Sequence, residues 1–137
     1  MALVLNKSVK DGFDYTIISE RGLENPFSVK LKTLTLLELG KFEDDYVARH
    51  IDTNQVVFRQ NQFNYKICKA GIKNWSNMLD EEGKQVKPKF SNGVITDESM
   101  EMLPRNVLEE LSTVIAAVTK DPSSLQVFLE PDELEDN

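Results

Sequence analysis

The chain has 137 residues, enough for one domain and for a core that needs no disulfide or metal staple. Hydrophobic residues make up 40% and charged residues 28%, an ordinary globular balance that excludes a collagen-like or wholly disordered chain. The net charge of -7 is concentrated at one end: residues 130–137 hold five of the 23 acids and none of the 16 basic residues, leaving about -2 on residues 1–129.

Cys68 is the only cysteine, so no internal disulfide forms, which suits a reducing compartment. The opening Met1-Ala2-Leu3-Val4-Leu5 is broken by Asn6 and Lys7, too short for a signal-peptide core. No later apolar run approaches the ~20 residues of a membrane span. These features point to the cytoplasm and away from the membrane, and leave the Asn-x-Ser patterns at Asn6 and Asn74 without a role.

Residues 12–20 alternate, with Phe13, Tyr15 and Ile17 on one side and Asp14 and Thr16 on the other, the period of a half-buried strand. Arg21-Gly22 and Asn25-Pro26 are turn chemistry, and residues 27–32 alternate again with Lys30 and Lys32 outward. The two strands are expected to pair antiparallel. Thr35 with Glu38 is a capping box, and Leu36, Leu39, Phe42 and Tyr46 then mark one face of a helix. Residues 55–59 read as a strand. Residues 60–70 read as a helix through Phe63, Ile67 and Ala70, with Gly71 as its C′ residue. Asp80-Glu81-Glu82-Gly83-Lys84 is a tight turn that joins short extended pieces around Trp75 and Val86. Thr96 caps a short turn running to Met100 and Leu103. Pro104 suits the first position of the last helix, 104–119. There Val107, Leu108, Leu111, Val114, Ile115 and Val118 form the apolar stripe, with Arg105, Glu109, Glu110 and Ser112 facing away. Asp121-Pro122 ends the helix, and the acidic residues 130–137 read as a disordered tail. The expected architecture is therefore α+β: a small antiparallel sheet built on the N-terminal hairpin and packed against two to three helices, one domain over residues 1–129.

Candidate chemistry is sparse. His50 is the only histidine, and beside Arg49 it reads as a partner of a helix C-terminus. Cys68 reads as a small buried hydrophobe. The Asp80 run lacks calcium-loop spacing, since Lys89 stands where a bidentate Glu belongs. Glycine-rich phosphate loops and basic stripes are missing, so neither a cofactor nor nucleic acid is expected. Trp75, between Asn74 and Ser76, has two readings: a core residue whose indole N–H meets a carbonyl, which is preferred, or an interface anchor.

A strand followed by Leu34-Thr35-Leu36-Leu37-Glu38, then Gly71-Ile72-Lys73-Asn74-Trp75, then Asp80 to Val86, then Leu103-Pro104 and the Val107-Leu108-Glu109-Glu110-Leu111 helix resembles the small tail-region proteins of tailed bacteriophages, among them tail assembly chaperones. The likeness covers residues 27–48 and 71–118. Phe90 matches that family's phenylalanine, whereas Trp75 follows Asn74 rather than a glycine. The resemblance implies no catalytic residue. It implies a non-enzymatic binding protein in the host cell cytoplasm or in the virion, acting on a phage structural protein through an apolar or acidic surface. Trp75 and Phe90 are the candidate partner-binding residues. A small acidic inhibitor of a host or defence protein is the alternative.

Overall fold

The computed structural model describes residues 11–49 and 56–129. His50, the opening apolar run and the acidic residues 130–137 lie outside them. Strands β1 (Phe13–Thr16) and β2 (Ser28–Leu31) pair antiparallel in the register Phe13↔Leu31 and Tyr15↔Val29. Their alternation buries Phe13, Tyr15, Val29 and Leu31 and leaves Asp14 and Lys30 in solvent. The first strand is shorter than the alternation predicts. Ile18–Glu20 turns into a 3-10 helix because the Ile18 N–H leaves the ladder and donates to Glu110 Oε2 at 2.9 Å.

A third strand, β5 (Ile72–Ser76), completes the sheet in the order β1-β2-β5. Its apolar residues Ile72 and Trp75 are three apart, so a regular strand would send them to opposite faces. The register shifts between Lys30 and Leu31, which pair with Asn74 and Ile72, so β5 spends one extra residue there. That bulge turns both side chains inward. A separate ribbon pairs β3 (Val47–Arg49) with β4 (Val56–Phe58); β4 falls within the strand expected over 55–59, and β3 was not expected. A two-residue turn at Asn92-Gly93, both at positive φ, joins β6 (Phe90–Ser91) to β7 (Val94–Ile95).

Helix α1 (Leu36–Asp45) opens with the predicted capping box, Thr35 and Glu38 each bonding the other's backbone N–H. Its apolar stripe is a correction. Leu39 is buried and Phe42 and Tyr46 half-buried, but Leu36 is 66% exposed. Leu34, just before the cap, fills the core place at this end, its N–H donating to the buried Thr119 hydroxyl at 3.0 Å. Helix α2 (Gln60–Gly71) buries Phe63, Asn64, Ile67 and Cys68, and includes Gly71 instead of ending before it. The capping residue is Ile72 in an extended conformation, so Gly71 is required by space and not by a left-handed turn. A Cβ there would stand 2.6 Å from Ile115 Cδ1.

Helix α3 (Asp97–Met100) is capped by Thr96, and α4 (Arg105–Lys120) carries the long apolar stripe. Pro104 is the N-cap of α4 rather than its first residue, since its ψ of 155° is extended. Two residues expected to face away from the core do not. Ser112 is buried and donates to Asn64 Oδ1 at 2.7 Å, and Glu110 accepts the Tyr15 hydroxyl at 2.5 Å. Both are drawn inward by polar partners on other elements. After α4 come a 3-10 turn (Pro122–Ser124) and the one-turn helix α5 (Leu125–Phe128). Helices α2 and α4 pack on each other and on the inner face of the sheet, where one cluster joins Tyr15, Val29, Leu31, Ile67, Ile72, Trp75, Leu111 and Ile115. Among the described residues no helix is long and apolar enough to cross a membrane.

The Gly71–Ile115 contact yields a sharp expectation. Ile115 is fully enclosed, and its β-branch fixes χ1 and with it Cγ1 and Cγ2, each 3.2 Å from that Cβ, so only Cδ1 can turn away, into packed surroundings. Gly71→Ala should lose about 1–3 kcal/mol by overpacking, outweighing the ~1 kcal/mol that alanine gains in helix propensity. Ile115→Val removes the clashing carbon. In urea titrations the double variant should therefore be more stable than the two single losses predict, by at least ~0.5 kcal/mol. Strict additivity would place the close approach elsewhere.

Candidate functional site

Trp75 sits on β5 with 2% of its surface exposed. Its indole N–H donates to the Val86 carbonyl at 2.8 Å, and its ring meets Phe27 edge-on at 6.2 Å. The preferred reading of the sequence is the observed one: a core ring with its one polar atom satisfied. Its neighbour Asn74 is exposed, and Asn74 Oδ1 accepts the Trp75 N–H at 2.9 Å.

Trp75 also fastens the loop after β5. Asn77, at φ 66°, donates from its amide to the Pro26 carbonyl at 2.9 Å, and the Val86 N–H returns to the Met78 carbonyl at 2.7 Å. At the tip, Asp80 Oδ1 accepts the Glu82 and Lys84 N–H groups, both at 2.9 Å, while Gly83 supplies a φ of 81°. The Asp80 carboxylate thus builds the turn that the sequence predicts. Phe90 differs from Trp75. It lies on β6, 39% exposed, opposite the buried Ile95.

Cys68 is fully buried, its S–H donating to the Leu108 carbonyl at 3.3 Å, and burial pushes the thiol far up from its ordinary range. Its place in the fold is that of a small packed hydrophobe. Among the described residues no group of three or more His, Cys, Asp or Glu could hold a metal ion.

The structure also assembles groups that spacing alone does not link. Asp97 Oδ1 accepts the Lys69 ammonium at 2.6 Å and the Tyr65 hydroxyl at 2.5 Å, tying α2 to α3. Lys69 first, then Tyr65, hold the Asp97 carboxyl below the usual range. Burial first, and the bond to Asp97 second, push the Tyr65 hydroxyl up to about 12. A depressed carboxyl stabilises above its unfolded pKa, and that contribution goes as pH falls through the folded value. A raised tyrosine stabilises below its unfolded pKa of about 10, and the contribution goes as pH rises through the folded one. The link therefore holds across neutral pH and weakens at both extremes. In thermal melts below about pH 4, Asp97→Asn should lose less Tm than the parent does. Equal acid losses would show that this carboxylate contributes nothing.

Among the described residues, two solvent-facing surfaces bear on binding. The outer face of the sheet is polar, with Asp14, Lys30, Asn74 and Ser76 exposed and Thr16 bonded to Ser28 at 2.9 Å. The outer side of α1 begins with Leu36 and with Leu37, which is 84% exposed, and continues through Lys41 to Asp44 and Asp45.

Fold and surface together define a small α+β protein, with a three-stranded antiparallel sheet backed by helices. Comparison with protein-family models, curated proteins and solved structures finds no match to this chain.

Proposed function

We propose that this chain is a non-enzymatic binding protein that holds a phage structural protein during assembly of a tail or virion. The reading starts from the order of motifs that resembles the tail-region proteins. The observation that carries it is the head of α1, where two adjacent leucines, Leu36 and Leu37, stand 66% and 84% exposed. Isolated apolar side chains on a surface are ordinary, but neighbouring leucines on a capped, fixed helix form a ready contact. Burying each against a partner is worth roughly 1.5–3 kcal/mol. Leu37, Lys41 and Asp44 succeed one another at helical spacing, so the apolar end runs into an acidic one on the same side. Such a side suits an apolar segment with basic flanks, held until its own assembly site is available.

The test is affinity capture from phage-infected cells with the parent chain and with Leu37→Asp, whose fold is checked by circular dichroism. Recovery of a tail structural protein with the parent, lost with the variant, supports the reading. Deleting residues 130–137 or raising salt should change the affinity little, because the contact is mainly apolar. Recovery of a nuclease or effector complex, with affinity falling tenfold or more on both changes, overturns this reading in favour of the acidic inhibitor.

A further inference from the structure

We propose that residues 122–129 form a strap, latched by Arg21, that opens while the rest of the fold stays closed. Helix α4 stops at Lys120, and Asp121, at φ -147° and ψ 98°, turns the chain out of the helical path. Beyond Asp121 the chain makes only a three-residue 3-10 turn and a four-residue helix. The backbone bonds within this segment are local: Ser124 N–H to the Asp121 carbonyl at 2.9 Å, and Leu129 N–H to the Leu125 carbonyl at 3.2 Å. Single turns of helix do not persist alone in water, so the order of the segment depends on its seat.

That seat is narrow. Leu125 and Phe128 are partly buried against the core, while Pro122, Ser123, Gln126 and Val127 are exposed. Arg21 holds it as well, its guanidinium donating to the Phe128 carbonyl. Arg21 belongs to the turn after β1, where its Nε donates to the Thr16 carbonyl at 3.1 Å and its guanidinium lies 5.3 Å from the centre of the Tyr15 ring. Tyr15 in turn donates to Glu110 on α4. The latch is therefore built on the hairpin and on α4, and remains in place when the strap leaves. Beside Phe128 lies a shallow hollow lined by Tyr15, Ile18, Glu110, Thr113 and Val114.

Among the described residues, release separates the Leu125 and Phe128 contacts and the Arg21–Phe128 hydrogen bond, and leaves the α2–α4–sheet cluster intact. That places the strap at the low-stability end of the molecule, in a unit of its own. Opening lengthens the hollow into a groove over Tyr15 and Val114 and presents two apolar side chains to water. The inference does not rest on the binding role proposed above.

Hydrogen exchange on the full-length protein, followed amide by amide by NMR, tests it. In the parent, the hydrogen-bonded amides of Ser124 and Leu129 should exchange about a hundredfold faster than those of Leu111 to Val118 in α4. Arg21→Ala should speed the strap amides by about another tenfold without altering those of α4, since a hydrogen bond from a charged donor is lost. Equal exchange in strap and α4 of the parent would show that both open only on global unfolding. That outcome overturns the proposal however the variant folds. Fast strap exchange that Arg21→Ala leaves unchanged, or an equal acceleration of strap and α4, overturns the latch.

Discussion

Replacing Trp75 with alanine is expected to cost about 3–5 kcal/mol of folding stability, the scale of a large aromatic lost from a core. The ring is 2% exposed, and it is Phe27's edge-on partner. Its removal leaves the Val86 carbonyl without its indole donor and frees the loop that this bond fastens. Trp75→Phe keeps an aromatic ring but removes the N–H and part of the indole's volume, so a smaller loss of about 2–3 kcal/mol should be seen instead. Urea unfolding of both variants measures the difference. Partner affinity of the folded fraction should be unchanged, because almost none of the side chain is available to touch a partner. A Trp75→Ala protein as stable as the parent, yet weaker in binding by about 2 kcal/mol or more, would make this residue an interface anchor instead.

Legibility in the sequence depends on the range of the interaction involved. The β1–β2 hairpin, the Thr35–Glu38 capping box and the stripe on α4 are set by residues a few positions apart, and periodicity alone predicts them. Strand β5 resists such reading because its bulge is fixed by pairing with β2, far away in the chain, and without the bulge Ile72 and Trp75 break the alternation. Strand β3 is equally silent until β4 lies beside it. Leu36 keeps the right spacing but loses its place to Leu34, a choice made by the Thr119 hydroxyl on another helix. Ser112 carried a usable signal. It lies four residues after Leu108 and three before Ile115, on the edge of the apolar stripe, and its polarity hid a buried position that Asn64 satisfies. Of the two candidate binding residues, Trp75 lies in the core and Phe90 at the surface, whereas the exposed leucines of α1 emerge only once the helix is placed.

Leu111→Ala carries the second large effect. Leu111 is fully buried midway along α4, on the stripe that includes Val107 and Ile115. Leucine-to-alanine losses in cores span about 2–5 kcal/mol, and the position within that range depends on how far the surroundings can collapse into the space. Here collapse toward α2 is obstructed at two points. Ile115 already stands against Gly71, and the buried Ser112–Asn64 bond at 2.7 Å holds α4 to α2 at a fixed distance. Moving α4 inward would close the first contact further and strain the second. The loss should therefore fall in the upper half of the range, with the urea m-value unchanged. Leu37→Ala, on the exposed side of α1, supplies the contrast: the same atoms are deleted, and the change should stay within about 0.5 kcal/mol. A loss below about half a kcal/mol at Leu111 would place that residue on a surface and undo the assignment of α4 as the wall of the core.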